Sequence, residues 1–425
     1  MNLRKKLSIV AWVYVIEGFP MGLYADIWPV YFRRQGISLT EIGILSGLSI
    51  AWSVKVLWSP LVDRFGDRRQ WIAGALVTMS ACLATLALTS ASAPALALAP
   101  ALAPAPAPAQ TITPLIWLAV AIFCAASATQ DIAIDAYTIG LVDRGEEGPT
   151  NSIRVGAYRI GLIAAGGGLM FLPRWIGWSG TFSVAAGMMA LMSLSLAAVP
   201  KVPVPEESQR ETWPALRRWL SQPGAWQVGA FVLLYRLGDR AMGPMVKPFW
   251  VDQGFSDESI ASVSTTLGAL ATIVGALVGG GFVGRFGIGR GLWVLGAFAL
   301  ASNLAYAAAA ASPEIGAIPV YAASVVESFC SGLATAAFLS FLMHVCEKEH
   351  AAVQYALLTS IYALAGSVVA ASSGWFAQEL GYAGFFALTA AFALPAFFFL
   401  PGARQWIKES SEGSTAAQTG TSAEP

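Results

Sequence analysis

Ala128-Thr129-Gln130-Asp131-Ile132-Ala133-Ile134-Asp135-Ala136-Tyr137 lies inside an otherwise apolar run from Pro114 to Val142. That run is long enough to cross a bilayer, for which a helix needs roughly 20 predominantly apolar residues. Asp131 and Asp135 are four apart, so one helix face presents both carboxylates, about a turn from each other. An Asp at the centre of a membrane helix costs about 2.5 to 3.5 kcal/mol to insert, and like charges at this spacing repel. The two acids either satisfy polar neighbours inside a helical bundle or form a substrate or proton site near the middle of a transporter. The second reading makes them face a wet interior and not lipid.

The rest of the composition fits a membrane chain. Of 425 residues 56% are hydrophobic and only 12% charged, about half the charge of a soluble domain. Lys+Arg 25 balance Asp+Glu 25, so the net charge says nothing about partners and gives no sign of nucleic-acid binding. Cys82, Cys124, Cys330 and Cys346 fall in apolar segments without metal-ligand spacing, and His344 and His350 flank the last of them at an inner helix end. We expect no metal and no cofactor. The start, Met1 to Lys6 followed by an apolar run, has the look of a signal peptide, but Glu17 inside the run and its continuation to Phe32 make it a retained first helix.

Apolar runs between charged or Pro/Gly punctuation predict about 12 spans, near 8–33, 40–62, 70–91, 114–142, 152–173, 180–199, 225–252, 257–283, 291–311, 315–346, 351–377 and 382–400. Basic residues crowd the connections on one side, with Arg4, Lys5 and Lys6 at the start and Arg404 and Lys408 at the end. Only Arg33, Arg34 and Arg174 lie in connections on the other side. Both termini are therefore expected in the cytoplasm. Lys55, Arg159, Arg236, Arg240 and Lys247 fall within spans; Lys247 is expected to snorkel outward, and the other four are better candidates for a polar cavity.

Two halves echo each other. Gln35-Gly36 followed by Ser38 matches Gln253-Gly254 followed by Ser256, and Asp63-Arg64-Phe65-Gly66-Asp67-Arg68-Arg69 matches Gly284-Arg285-Phe286-Gly287-Ile288-Gly289-Arg290. Parallel repeats of this kind mark the major facilitator architecture, with its binding site near the midplane. The expected fold is thus all-α integral membrane, two pseudo-symmetric six-helix bundles at 1–199 and 225–401, a cytoplasmic linker at 200–224 and a disordered tail at 402–425. An amphipathic piece around 213–220 is expected on the membrane surface, and 93–109, rich in Pro and Ala, in a mobile outer loop. Gly166 to Gly168 and Gly279 to Gly281 are read as close helix contacts.

The stretch 63–69 resembles the Asp-Arg-x-Gly-Arg-Arg loop of major facilitator proteins. It is read as a conformational latch made of Asp63, Arg64, Gly66, Arg68 and Arg69, with Arg285, Gly287 and Arg290 as a weaker copy. A closer resemblance appears at Val54 to Arg64, at Ala128 to Tyr137 and at Arg154-Val155-Gly156-Ala157-Tyr158-Arg159-Ile160-Gly161. These stretches, with Tyr235 to Ala241, Ala336 to Met343 and Gln354 to Leu358, are similar to AmpG-type muropeptide permeases. The resemblance implies a proton-driven importer of anhydro-muropeptides across the bacterial inner membrane, and Gln130, Asp131, Asp135, Tyr158 and Arg159 match the family's polar motifs. Some members carry two further C-terminal helices, whereas this chain has no apolar run after Leu400. A siderophore or another bulky anionic metabolite is therefore the rival cargo, and a sensor without turnover the rival of another class.

Proton coupling needs a buried acid that binds and loses a proton near neutral pH. The candidates are Asp131, Asp135, Glu17, Asp26, Asp239 and Glu327. Arg159 and Arg236 are placed to pair with them or to hold a substrate carboxylate, as the planar guanidinium does well. Gln130, Tyr158, Arg240, Lys55, Tyr14 and Tyr24 complete the substrate-binding candidates. The expected partners are a small-molecule substrate and the lipid bilayer, with the chain acting as a monomer. An enzyme is not expected, because the polar residues supply no nucleophile, base or metal-ligand cluster.

Overall fold

Helix follows helix along the chain, and the breaks fall where Gly, Pro and paired hydroxyls interrupt the apolar runs. The computed structural model describes residues 1–64, 67–92, 112–142, 146–202, 221, 224–345 and 351–419; within these, the side chains of 56, 60, 63, 64, 92, 147–149, 151–152, 351–357 and 403–419 are left out. Twelve helical passes are traced among the described residues, with no strand. They are α1 (Leu3–Arg34), α2 (39–64), α3 (Arg68–Ser92), α4 (Pro114–Leu141), α5 (147–171), α6 (Pro173–Ala198), α7 (225–252), α8 (Asp257–Phe286), α9 (Ile288–Ala311), α10 (Ala317–His344), α11 (351–380) and α12 (382–419). The expected outer loop at 93–109 and the amphipathic piece at 213–220 lie outside the described residues.

Unbroken apolar helices long enough to span a bilayer account for most passes, but α2, α5 and α7 are assembled from shorter pieces. The expected continuous span at 40–62 is interrupted after Gly47 and again at 55–58, just before Pro60. In α7 the helix opens at 235–236 and carries Pro244 and Pro248 further on. Pro and Gly/Ser positions are the usual causes of such breaks. The last helix continues to Thr419, through most of the stretch expected to be a disordered tail. Continuing an existing helix by one residue needs no new nucleus, so a polar sequence can extend it.

The two-fold echo in the sequence is written into the backbone. Gly36 (φ 75°) and Gly254 (φ 79°) end α1 and α7 in the left-handed region that favours glycine. The same three hydrogen bonds precede each turn: Gln35, Gly36 and Ile37 N–H donate to Tyr31, Arg33 and Phe32, and Gln253, Gly254 and Phe255 N–H donate to Phe249, Val251 and Trp250. Ser38 then caps α2 and Ser256 caps α8, each hydroxyl accepting the N–H three residues on.

Packing divides the chain into two compact units. The first comprises residues 1–206 with 244–266 and 371–375, and the second 207–243, 267–370 and 376–425. In the first, α1 packs on α5, and α3 on α4 and α6; in the second, α10 packs on α8 and α9. Leu88 (74% exposed), Leu277 (72%) and Phe398 (84%) point away from their neighbours. Outward faces this apolar suit acyl chains and not water.

Candidate functional site

The polar centre of the first unit starts from a backbone contact. Gly18 of α1 and Gly161 of α5 face each other so closely that a Cβ on Gly18 would strike the Tyr158 carbonyl, and one on Gly161 the Val15 carbonyl. A proline sets the next step. Pro20 has no N–H to give to the carbonyl four residues back, that of Ile16, and the fully buried Gln130 of α4 donates its Nε2 there instead at 3.1 Å. Gln130 thus fixes α4 against α1 with Asp131 and Asp135 following it.

Around these contacts five ionisable side chains from four helices meet. Asp135 accepts the Tyr14 hydroxyl at 2.7 Å and Arg154 Nη2 at 2.5 Å, and the Arg154 guanidinium lies over the Tyr14 ring, 4.7 Å from its centroid. Lys55 of α2 donates to Asp131. Glu17 of α1 reaches the Asp131 carboxyl, while its own Oε2 is buried with no hydrogen-bond partner. Three carboxyl groups are therefore assembled with two cations.

The second unit holds a different arrangement. Arg236 of α7 donates to Asp239 at 2.9 Å, to the Ser331 carbonyl at 3.1 Å, to Ser331 Oγ at 2.7 Å and to Thr335 Oγ1. Asn303 of α9 donates its Nδ2 to Thr389 Oγ1 at 3.3 Å, and Glu327 of α10 lies close enough to act on Arg236. Arg236 and Asp239 form an ion pair, and the Arg236 bonds to Ser331 and Thr335 tie α7 to α10, while Arg236 Nε is buried without an acceptor among the described residues. Arg240, one turn on, lies over the Tyr362 ring of α11 at 5.3 Å.

Comparison with known proteins agrees with this helical plan. The chain is 30% identical over 407 residues to the anhydromuropeptide permease of Escherichia coli K12, covering 92% of this chain and 78% of that one. It belongs to the AmpG permease family. A putative AmpG transporter of Rickettsia felis is 26% identical, with 91% of this chain and 93% of that one covered. Residues 6–165 match the acetyl-coenzyme A transporter 1 family. Among solved structures, a bacterial homologue of the human lysosomal transporter Spinster superposes with TM-score 0.71 at 15% identity, covering 96% of this chain and 98% of that one. The nucleoside transporter NupG gives 0.67 at 15% identity, with 94% and 100% covered. These two share the fold. This AmpG-family chain is thus a multi-pass inner-membrane transporter of the major facilitator fold.

Other residues expected from the AmpG-like sequence are distributed unevenly. Arg159 makes no ion pair, hydrogen bond or ring contact among the described residues; Arg154, five residues earlier, reaches Asp135 instead. Tyr158 contributes its carbonyl to the contact with Gly18. Tyr24 packs against Trp28 and Trp52 and donates to the Ser46 carbonyl, an anchoring role within α1 and α2.

Asp26 is not with the central acids. It pairs with Lys247 at 3.0 Å, both side chains buried, so Lys247 does not snorkel outward as expected. Lys247 Nζ also donates to Ser264 Oγ at 2.9 Å and Thr265 Oγ1 at 2.8 Å. The pair lies where three π-helical segments meet: 23–27 holds Asp26, 260–267 holds Ser264 and Thr265, and 164–168 brings Gly166 against Asp26 Oδ2. Arg33 with Asp252 (2.5 Å), Arg34 with Asp257 (2.9 Å) and Arg174 with Glu258 (3.3 Å) join the same ends of the first unit.

Of the expected latch, the Asp63 and Arg64 side chains and Gly66 lie outside the described residues. Arg68 donates to the Ala136 carbonyl of α4 at 2.8 Å, and Arg69 to the Val199 carbonyl after α6 at 2.5 Å. Charge pairing here is local, from Arg69 to Asp67 at 2.8 Å, and this bonding holds the Asp67 carboxyl below its ordinary value. In the copy, Arg285 lies over Phe286 and Arg290 has no ion-pair partner among the described residues; Gly287 adopts φ 84°. An open groove of about 650 Å³ between α3 and α4, lined by Gln70, Trp71, Gly74, Thr78, Ile122 and Thr129, holds no ionisable group and is separate from the polar centre.

Proposed function

We propose that the chain imports anhydro-muropeptides, sugar-peptide fragments of the cell wall, across the inner membrane in symport with protons, both termini lying in the cytoplasm. The observation that carries the coupling is the excess of acid in the first unit: Glu17, Asp131 and Asp135 against Lys55 and Arg154. Asp131 and Asp135 each pair with a cation, and Glu17 forms no ion pair among the described residues. Two carboxyl groups in contact attract only when they share a proton, because two carboxylates at that range repel. The cluster is therefore neutral with one proton aboard and carries one negative charge without it.

A difference of one charge in a poorly hydrated interior is enough to bias which partners Lys55 and Arg154 hold, and hence how α2 and α5 sit against α4. A relative supports this choice of cargo: the E. coli protein is an anhydromuropeptide permease. The test is uptake into proteoliposomes of labelled anhydro-muropeptide beside a ferric siderophore, with and without an inward proton gradient. Accumulation of the muropeptide above the equilibrium level, only with the gradient, supports the proposal. Accumulation of the siderophore alone would remove it.

A further inference from the structure

Two arginines one turn apart on α7 are treated in opposite ways by the fold. Arg236 is committed, with a carboxylate, two hydroxyls and a carbonyl taking its N–H groups. Arg240 has no carboxylate, and no hydrogen-bond acceptor reaches it among the described residues. What it has is a seat. The guanidinium lies over the Tyr362 ring, its Cζ 5.3 Å from the centroid, and across Gly366, one turn further along α11, where a Cβ would strike Nε.

That seat has a chemical consequence. The N–H donors of a guanidinium lie in its plane; Gly366 lies against the Nε and Nη2 side, and the Nη1 end meets no acceptor among the described residues. A guanidinium end without an acceptor is complementary to a carboxylate, which it can bind through two parallel bonds. Stacking on an aromatic ring returns less than an unpaired cation inside a membrane helix costs. The other four basic residues expected within the spans are paired or unseated: Lys55 with Asp131, Lys247 with Asp26, Arg236 with Asp239, and Arg159 with neither ring nor acceptor among the described residues.

We propose that Arg240, positioned by Tyr362 and Gly366, is the group that recognises a carboxylate of the transported molecule. The cargo is then an organic acid in its ionised form, and Arg240 distinguishes it from neutral analogues of the same shape. This rests on the transport reading above and deepens it.

The experiment measures uptake by proteoliposomes of labelled anhydro-muropeptide with free peptide carboxylates, and of the same molecule with those carboxylates amidated. The wild type should show a KM at least tenfold lower for the free acid. Arg240→Gln should remove that preference by raising KM for the free acid about tenfold, leaving the amide unchanged and maximal rate little altered. Arg240→Lys should recover part of the preference, since it keeps the charge and loses the fork. Gly366→Ala, which displaces the guanidinium without removing it, should reproduce the Gln phenotype and serves if Arg240→Gln does not fold; Tyr362→Leu, which removes the ring, should raise KM for the free acid and leave the amide unchanged. Equal effects of Arg240→Gln on acid and amide, or none on either, would overturn the assignment while leaving transport intact. A wild type that moves neither form would instead bring down the transport reading, and this one with it.

Discussion

Replacing Glu17 by Gln keeps the size and most of the hydrogen bonding of the side chain and removes only its ability to ionise. We predict that Glu17→Gln loses gradient-driven accumulation, the inside-to-outside ratio falling to about one, yet retains exchange of labelled for unlabelled substrate in a counterflow assay. Accumulation at the wild-type level would show that the proton sits elsewhere. Gln130 gives a prediction about stability. Gln130→Leu leaves the Ile16 carbonyl unbonded and should cost about 1 to 3 kcal/mol in thermal unfolding in detergent. Adding Pro20→Ala restores an N–H to that carbonyl and should recover much of the loss; failure to do so would detach Gln130 from Pro20. Asp67 supplies the pH dependence. Its folded value is depressed, so its contribution is complete above the ordinary carboxylate range and lost only as pH falls through the lower folded value. The effect of Asp67→Asn on unfolding should therefore be flat between roughly pH 5 and 8.

The residue scale also shows where sequence reading succeeds. Asp131 and Asp135 stand out because a charge inside an apolar run has few bland explanations, and the structure places Lys55 and Glu17 on them. Arg154 does not stand out, because an arginine near an inner helix end is accounted for by membrane orientation alone. The Gln130 bond to α1 has a readable cause, Pro20, but its partner helix is not given by spacing.

Among elements, the meeting of three π-helical segments around Asp26 and Lys247 has no signature in hydrophobic periodicity, which registers a helix and not its extra residue. Nor does sequence pair an acid on α1 with a lysine on α7. The geometry makes a definite claim. Lys247→Ala strands a buried carboxylate and should cost about 3 to 5 kcal/mol, whereas Asp26→Leu with Lys247→Met removes both charges and should be near neutral or stabilising. Thermal unfolding of Lys247→Ala and of the double variant measures this directly. If the double variant is as unstable as Lys247→Ala, the pair is not what holds those segments together. The breaks in α2 and α7 were half legible, since Gly47, Pro60, Pro244 and Pro248 are visible while the opening at 235–236 is not.

At the scale of the molecule, the repeat was legible from Gln35-Gly36 and Gln253-Gly254 because the turn each forms admits little but glycine. The composition of the first compact unit was not, because residues 244–266 and 371–375 join it through contacts that no sequence boundary announces. The account as a whole claims that protons and substrate cross together through the acids of that unit. The most direct test follows the pH of a lightly buffered medium when anhydro-muropeptide is added to proteoliposomes clamped at zero membrane potential. The account predicts that the medium turns alkaline with wild type, and that Glu17→Gln and Asp131→Asn leave it unchanged; substrate entry by the wild type with no movement of protons would contradict it.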